Sequence, residues 1–163
     1  MTDKAANELA ALGATLPATT AEALKTVNAV EEKMRQMPQF EPRMEHMLHA
    51  GMYARTARVN RGDAFTSVMI KVPTILIING WAWVFAGDRW HEVKGYKVIA
   101  ASAMRKVVYV IERPTEITML FPSRAKTVEE AEKEFTDEYE RLLTKQQGEN
   151  DLVTITRGEE CQG

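Results

Sequence analysis

Gly95–Val110 reads GYKVIAASAMRKVVYV. Two runs rich in β-branched residues flank the small-residue stretch Ala101–Met104, which is too short for a helix. The stretch therefore predicts a strand, a tight connection and a second strand. The same texture repeats on both sides of it. Val-, Ile-, Thr- and aromatic-rich runs occupy 54–59, 64–70, 74–79, 81–86, 89–93, 96–100, 106–112 and 116–121. Turn-forming residues separate them: Asn60–Asp63, Pro73, Asn79–Gly80, Gly87–Asp88, Lys94–Gly95 and Arg113–Glu116. Eight short strands at this spacing leave no room for helices between them and predict an antiparallel sandwich or barrel over residues 48–122.

Outside this zone the hydrophobic period changes. Thr19 and Glu22 have the spacing of a capping box, and Ala23, Val27, Val30, Met34 and Met37 follow at alternating intervals of four and three. Residues 1–47 are thus expected to be a helical N-terminal extension, with a first short helix ending near Gly13 and the second stopped by Pro38. Thr127 and Glu130 repeat the capping pattern, and Val128, Ala131, Phe135, Tyr139 and Leu142 mark one face of a C-terminal helix over 123–147. Residues 148–163 are polar and expected to be a flexible tail.

Composition bounds the function. The 163 residues are 45% hydrophobic and 27% charged with net charge -2, a globular profile without a basic field for nucleic acid. No apolar stretch is long enough to span a membrane, and the N-terminal residues do not resemble a secretory signal. The single cysteine, Cys161, cannot form an internal disulfide, so a cytoplasmic location is expected.

The order of strands and turns resembles the cupin family of small jelly-roll barrels. Gly62 and Gly80 bracket the first family motif, one residue shorter than its shortest form, and Gly95 opens the second. In that register Val68 and Ile70 stand where the family has two metal-binding histidines. Pro73 or Thr74 replaces its glutamate, and Lys106 its last histidine. The resemblance implies a mainly β fold: a cupin-like jelly-roll barrel of about eight strands with flanking helices. A divalent metal needs imidazole and carboxylate donors converging on one point, and these positions supply neither. No metal and no other cofactor is expected.

A metal-free barrel keeps a mostly apolar pocket, in which a few cations could fix an anion. The expected ligand-binding residues are Lys106, which this register aims at the barrel mouth, with Arg105, Lys71 and Arg58 adding charge. Trp81 and Trp83, aligned with Phe85 on one strand face, read either as a stacking wall or as core and interface. His46 and His49, three apart on the expected helix, make a weak metal pair, and His91 beside Glu92 forms no dyad. No nucleophile arrangement or phosphate-binding loop is present. The favoured reading is a non-enzymatic binding protein holding a small anionic molecule or a partner protein. The chain's texture is similar to small cupin-like phage proteins, which would make that partner a host protein and the role interference with host defence. The alternatives are a metal-independent isomerase or epimerase, drawing its acid and base from Lys106, His91, Tyr109 and Tyr96, and a structural subunit. A homo-oligomer built through the helices and edge strands is expected in either case.

Overall fold

In the computed structural model residues 15–142 and 151–156 are described. Helix α1 (Ala21–Arg35) precedes six strands: β1 (Arg43–His49), β2 (Met52–Val59), β3 (Ala64–Thr66), β4 (Thr74–Ala86), β5 (Arg89–Ala101) and β6 (Val108–Pro122). Helix α2 (Val128–Phe135), a 3-10 turn (Tyr139–Arg141) and β7 (Asp151–Ile155) follow. The strands form one sheet in the order β5-β4-β6-β2-β1-β7, with β3 also paired to β6. All neighbours are antiparallel except β1 and β7. The molecule is mainly β with two helices, as the sequence implies. The sheet is open, however, with β5 and β7 at its edges, rather than closed into a barrel.

The strand count differs in an instructive way. Six of the eight expected runs fuse in pairs into β4, β5 and β6, because three of the turn signals mark bends within strands. Gly80 and Gly95 face each other across β4 and β5, and the β4–β6 register slips between Asn79 and Ala82. Such a bulge bends a strand and raises its twist without ending it. On one side of β6, β3 pairs with its first residues, and β2, followed by β1, pairs with its second half.

Two further strands lie outside the expected barrel. β1 falls partly within the supposed helical extension. Its exposure alternates, with Met44, His46 and Leu48 turned inward, the period of a strand. The polar His46 at an inward position disguised that alternation. β7 arises in the supposed flexible tail, where backbone pairing with β1 holds a short edge strand that composition does not reveal. His46 and His49 therefore stand on opposite faces of a strand instead of one helix face. His46 is buried, while His49 is exposed and hydrogen-bonds Thr156.

Local chemistry places the helices. Thr20 caps α1, its hydroxyl accepting from the Ala23 amide at 3.1 Å. Thr19, one residue earlier, instead exchanges hydrogen bonds with the backbone of Lys106. Thr127 caps α2 as its spacing predicts, accepting from Glu130 N at 3.2 Å. The expected longer C-terminal helix stops at Phe135 because tertiary bonds capture its end. Lys71 N donates to Phe135 O, and the Thr136 hydroxyl donates to Met69 O. Leu16, in the expected N-terminal linker, bridges to Ala101 and is buried in the core. The expected helix before Gly13, Cys161 and most of the tail lie outside the described residues.

Buried side chains gather in two clusters. One lies under β4, β5 and β6 around Ile78, Val84 and Ile111. The other joins Tyr53, Met119 and Phe121 to Ala131 and Phe135 of α2. The candidate site lies where they meet.

Candidate functional site beneath the bent sheet

The inward face of the sheet lines a half-open cavity of about 130 Å³. Its floor comes from strands whose inward residues alternate: Met44 of β1, Ala57 and Val59 of β2, Leu76 of β4, and Ile117 and Met119 of β6. Phe65 of β3, Val68 and Ile70 close one side, and Phe135 and Leu142 close another. Val68 and Ile70 are the two positions at which the family motif carries histidines. The methyl groups that replace them form cavity wall, and no cluster of metal-ligating side chains occurs among the described residues.

Thr66 and Ser67 add hydroxyls to this wall, and Tyr109, Arg55 and Arg141 reach it as well. Tyr109 of β6 stacks on Phe65 with ring centroids 4.9 Å apart. Burial pushes its phenol up to about 12, so it stays protonated and able to donate. Tyr109 lines the cavity, and its hydroxyl makes no hydrogen bond among the described residues. Arg55 of β2 is paired behind the cavity with the buried Glu132 of α2 at 2.9 Å. Arg141 stands at the mouth, held by Glu138 at 2.8 Å and Glu31 at 3.4 Å. Outside the mouth a groove of about 610 Å³ runs between the end of α1, β3 and the 3-10 turn. Phe40, Phe65, Thr66, Val68 and Arg141 line both spaces. The cavity thus has a broad, charged vestibule and a narrow apolar interior.

A second polar cluster lies deeper. Tyr53 and His46 share a 2.8 Å hydrogen bond, and the charge of Arg55 acts on both. With the Tyr53 hydroxyl donating to His46 Nδ1, the imidazole proton sits on Nε2, 3.4 Å from Asp151 Oδ2 of β7. Burial, reinforced by the charge of Arg55, drives His46 down to about 4. This network ties β1, β2, α2 and β7 together beneath the cavity.

None of the six residues singled out from sequence lines the cavity. Lys106 is buried at 3% exposure, with its ammonium 2.9 Å from Glu31 and 3.3 Å from Asn28 of α1. It clamps that helix to the sheet beside the mouth. Arg105 is 1% exposed and bonds Ser102 O, Val72 O and Thr74 Oγ1. Lys71 pairs with Asp137 at 2.6 Å at the surface. Arg58 lies on the outer face between Glu45 and Glu116. Trp81 and Trp83 also face outward, since the alternate residues Ala82 and Val84 are the buried ones. Lys94 sits 4.0 Å above the Trp81 ring, Arg113 lies 5.3 Å from it, and its indole donates to Glu92.

Sequence reasoning reads Arg55 with the neighbouring cations and Met44 with the methionines before the barrel, and does not bring them together with Phe65 and Met119 around one cavity. Only the inward parity of each strand would have found them, and that parity follows from β1 and the bends.

No family model matches the chain, and no curated protein matches it. Solved structures do. A cupin-2 domain protein from Shewanella frigidimarina is similar over 57% of this chain and 91% of its own, at 11% identity and a TM-score of 0.40. A cupin superfamily protein from Desulfitobacterium hafniense covers 68% of this chain and 99% of its own, at 12% identity and a TM-score of 0.42. KdgF from Halomonas sp. covers 56% and 86%, at 14% identity and a TM-score of 0.44. The chain itself shows an open, mainly β sheet with aliphatic side chains at Val68 and Ile70, where the resemblance read from sequence would place histidines.

Proposed function

We propose that this chain is a binding domain that holds a small, largely apolar molecule in the cavity beneath its bent sheet. One observation carries the reading: a cavity of about 130 Å³, walled mainly by aliphatic and aromatic side chains, joins an outer groove through shared residues. Apolar cavities of similar volume admit single-ring hydrocarbons. α1, clamped by Lys106, forms one side of the vestibule and shields the mouth.

The test follows methyl resonances of Met44 and Met119, which line the cavity. Benzene added to the protein is expected to shift both saturably. Ala57→Leu, which fills the cavity from its floor, is expected to abolish the shifts. Unmoved methyl signals in the unsubstituted protein, or shifts that persist in the filled variant, would overturn the reading.

A further inference from the structure

Charge is matched unevenly around the cavity. Arg55 has Glu132 at 2.9 Å and Lys106 has Glu31 at 2.9 Å. Arg105 is as deeply buried, yet its guanidinium meets only neutral oxygens: Ser102 O at 2.8 Å, Val72 O at 3.4 Å and Thr74 Oγ1 at 2.6 Å. Among the described residues no carboxylate lies within ion-pair distance of it. A buried cation without a counter-ion keeps much of its field, because the interior screens poorly. Arg105 stands directly behind the cavity wall. Its backbone forms a two-way bridge with Ile70, a lining residue. Tyr109, four residues on, lies within its electrostatic reach and lines the cavity, and its hydroxyl makes no hydrogen bond among the described residues. The field of the guanidinium and the free O–H donor therefore fall on the same wall.

We infer that the cavity's occupant is a small organic carboxylate. Its apolar body fills the cavity, and its carboxylate accepts a hydrogen bond from Tyr109 under the field of Arg105. This deepens the small-molecule reading above and rests on it. The cavity volume sets the apolar body at about six carbons. Tyr109 is the contacting residue, and Arg105 acts through space without touching the ligand. The outer cations Arg58 and Lys71 take no part, since surface carboxylates already neutralise them.

Benzoate, benzamide and benzene separate the possibilities, with methionine methyl shifts as the measure. Benzoate is expected to bind at least tenfold more tightly than benzamide at neutral pH. Tyr109→Phe should erase most of that preference while benzene binding stays. Arg105→Met should reduce the preference likewise; if this variant does not fold, Tyr109→Phe decides alone. Equal affinity for benzoate and benzamide, or an unchanged benzoate preference in Tyr109→Phe, would sink the inference. Benzene entering while benzoate stays out would reject the carboxylate and leave the small-molecule reading standing. Failure of all three probes would reject both.

Discussion

Glu132 shows how much one buried carboxylate decides here. It lies on the inward face of α2 at 1% exposure and holds Arg55, itself 12% exposed, at 2.9 Å. Removing one partner of a buried ion pair leaves the other charge desolvated. Glu132→Ala is therefore expected to cost about 3 kcal/mol, read as a lower urea midpoint with an unchanged m-value. A loss below about 1 kcal/mol would mean that Arg55 finds solvent or another acceptor. Lys106 shows how a distant partner sets a charge's surroundings. A lysine at a motif's histidine position reads as a ligand group, yet it neutralises Glu31 and fastens α1. Its identity was legible in the sequence. Its partner, far away along the chain, was not, because that pairing depends on where α1 lands.

At the scale of the element, Gly80 governs the bend in the sheet. Its φ is +148°, and a Cβ there would lie 2.3 Å from Thr115 Oγ1 and 2.7 Å from Thr115 Cα. The same Thr115 hydroxyl accepts from Trp81 N at 3.0 Å and donates to Arg113 O at 2.6 Å, tying both strands at the bulge. Gly80→Ala is expected to cost about 3 kcal/mol, since it adds overlap to backbone strain. Gly62 provides the control: its φ is +88°, and a methyl group there would meet nothing within 4 Å. Gly62→Ala should cost only about 1 kcal/mol. Equal midpoints for the two variants would show that the bulge relaxes freely. The same elements show what was readable. Period-two runs located β2, β4, β5 and β6 correctly. The turn chemistry at Asn79–Gly80 and Lys94–Gly95 was real, but local sequence does not distinguish a turn that reverses the chain from a bulge that bends it. Only the pairing of Gly80 with Gly95 across two strands resolves that.

For the whole molecule, the buried histidines set the acid limit. His46 titrates near 6.5 in the unfolded chain and near 4 in the native state, because burial opposes its charge. The unfolded chain therefore takes up a proton that the native state refuses. Stability is fully present above pH 6.5 and falls as pH drops toward 4, by about 3 kcal/mol from this residue. His91, also lowered by burial, adds to the loss. Asp151, raised by burial, binds its proton more readily in the native state and offsets part of the loss at the acid end. Urea midpoints measured between pH 7.5 and pH 4 should show this slope, and His46→Asn should flatten it. A profile identical in the variant would assign the acid sensitivity elsewhere.

Sequence by itself determined the mainly β class of this protein: strand period and turn residues are local facts. It also determined that the interior would be largely aliphatic, since inward positions on the central strands carry Val, Ile and Leu. Tertiary structure alone decided that the sheet stays open, that β1 and β7 extend it, and that the conspicuous cations and tryptophans lie off the cavity. The reason is one of parity and partnership. A side chain's face depends on bulges and register, and a charge's role depends on which distant carboxylate reaches it first.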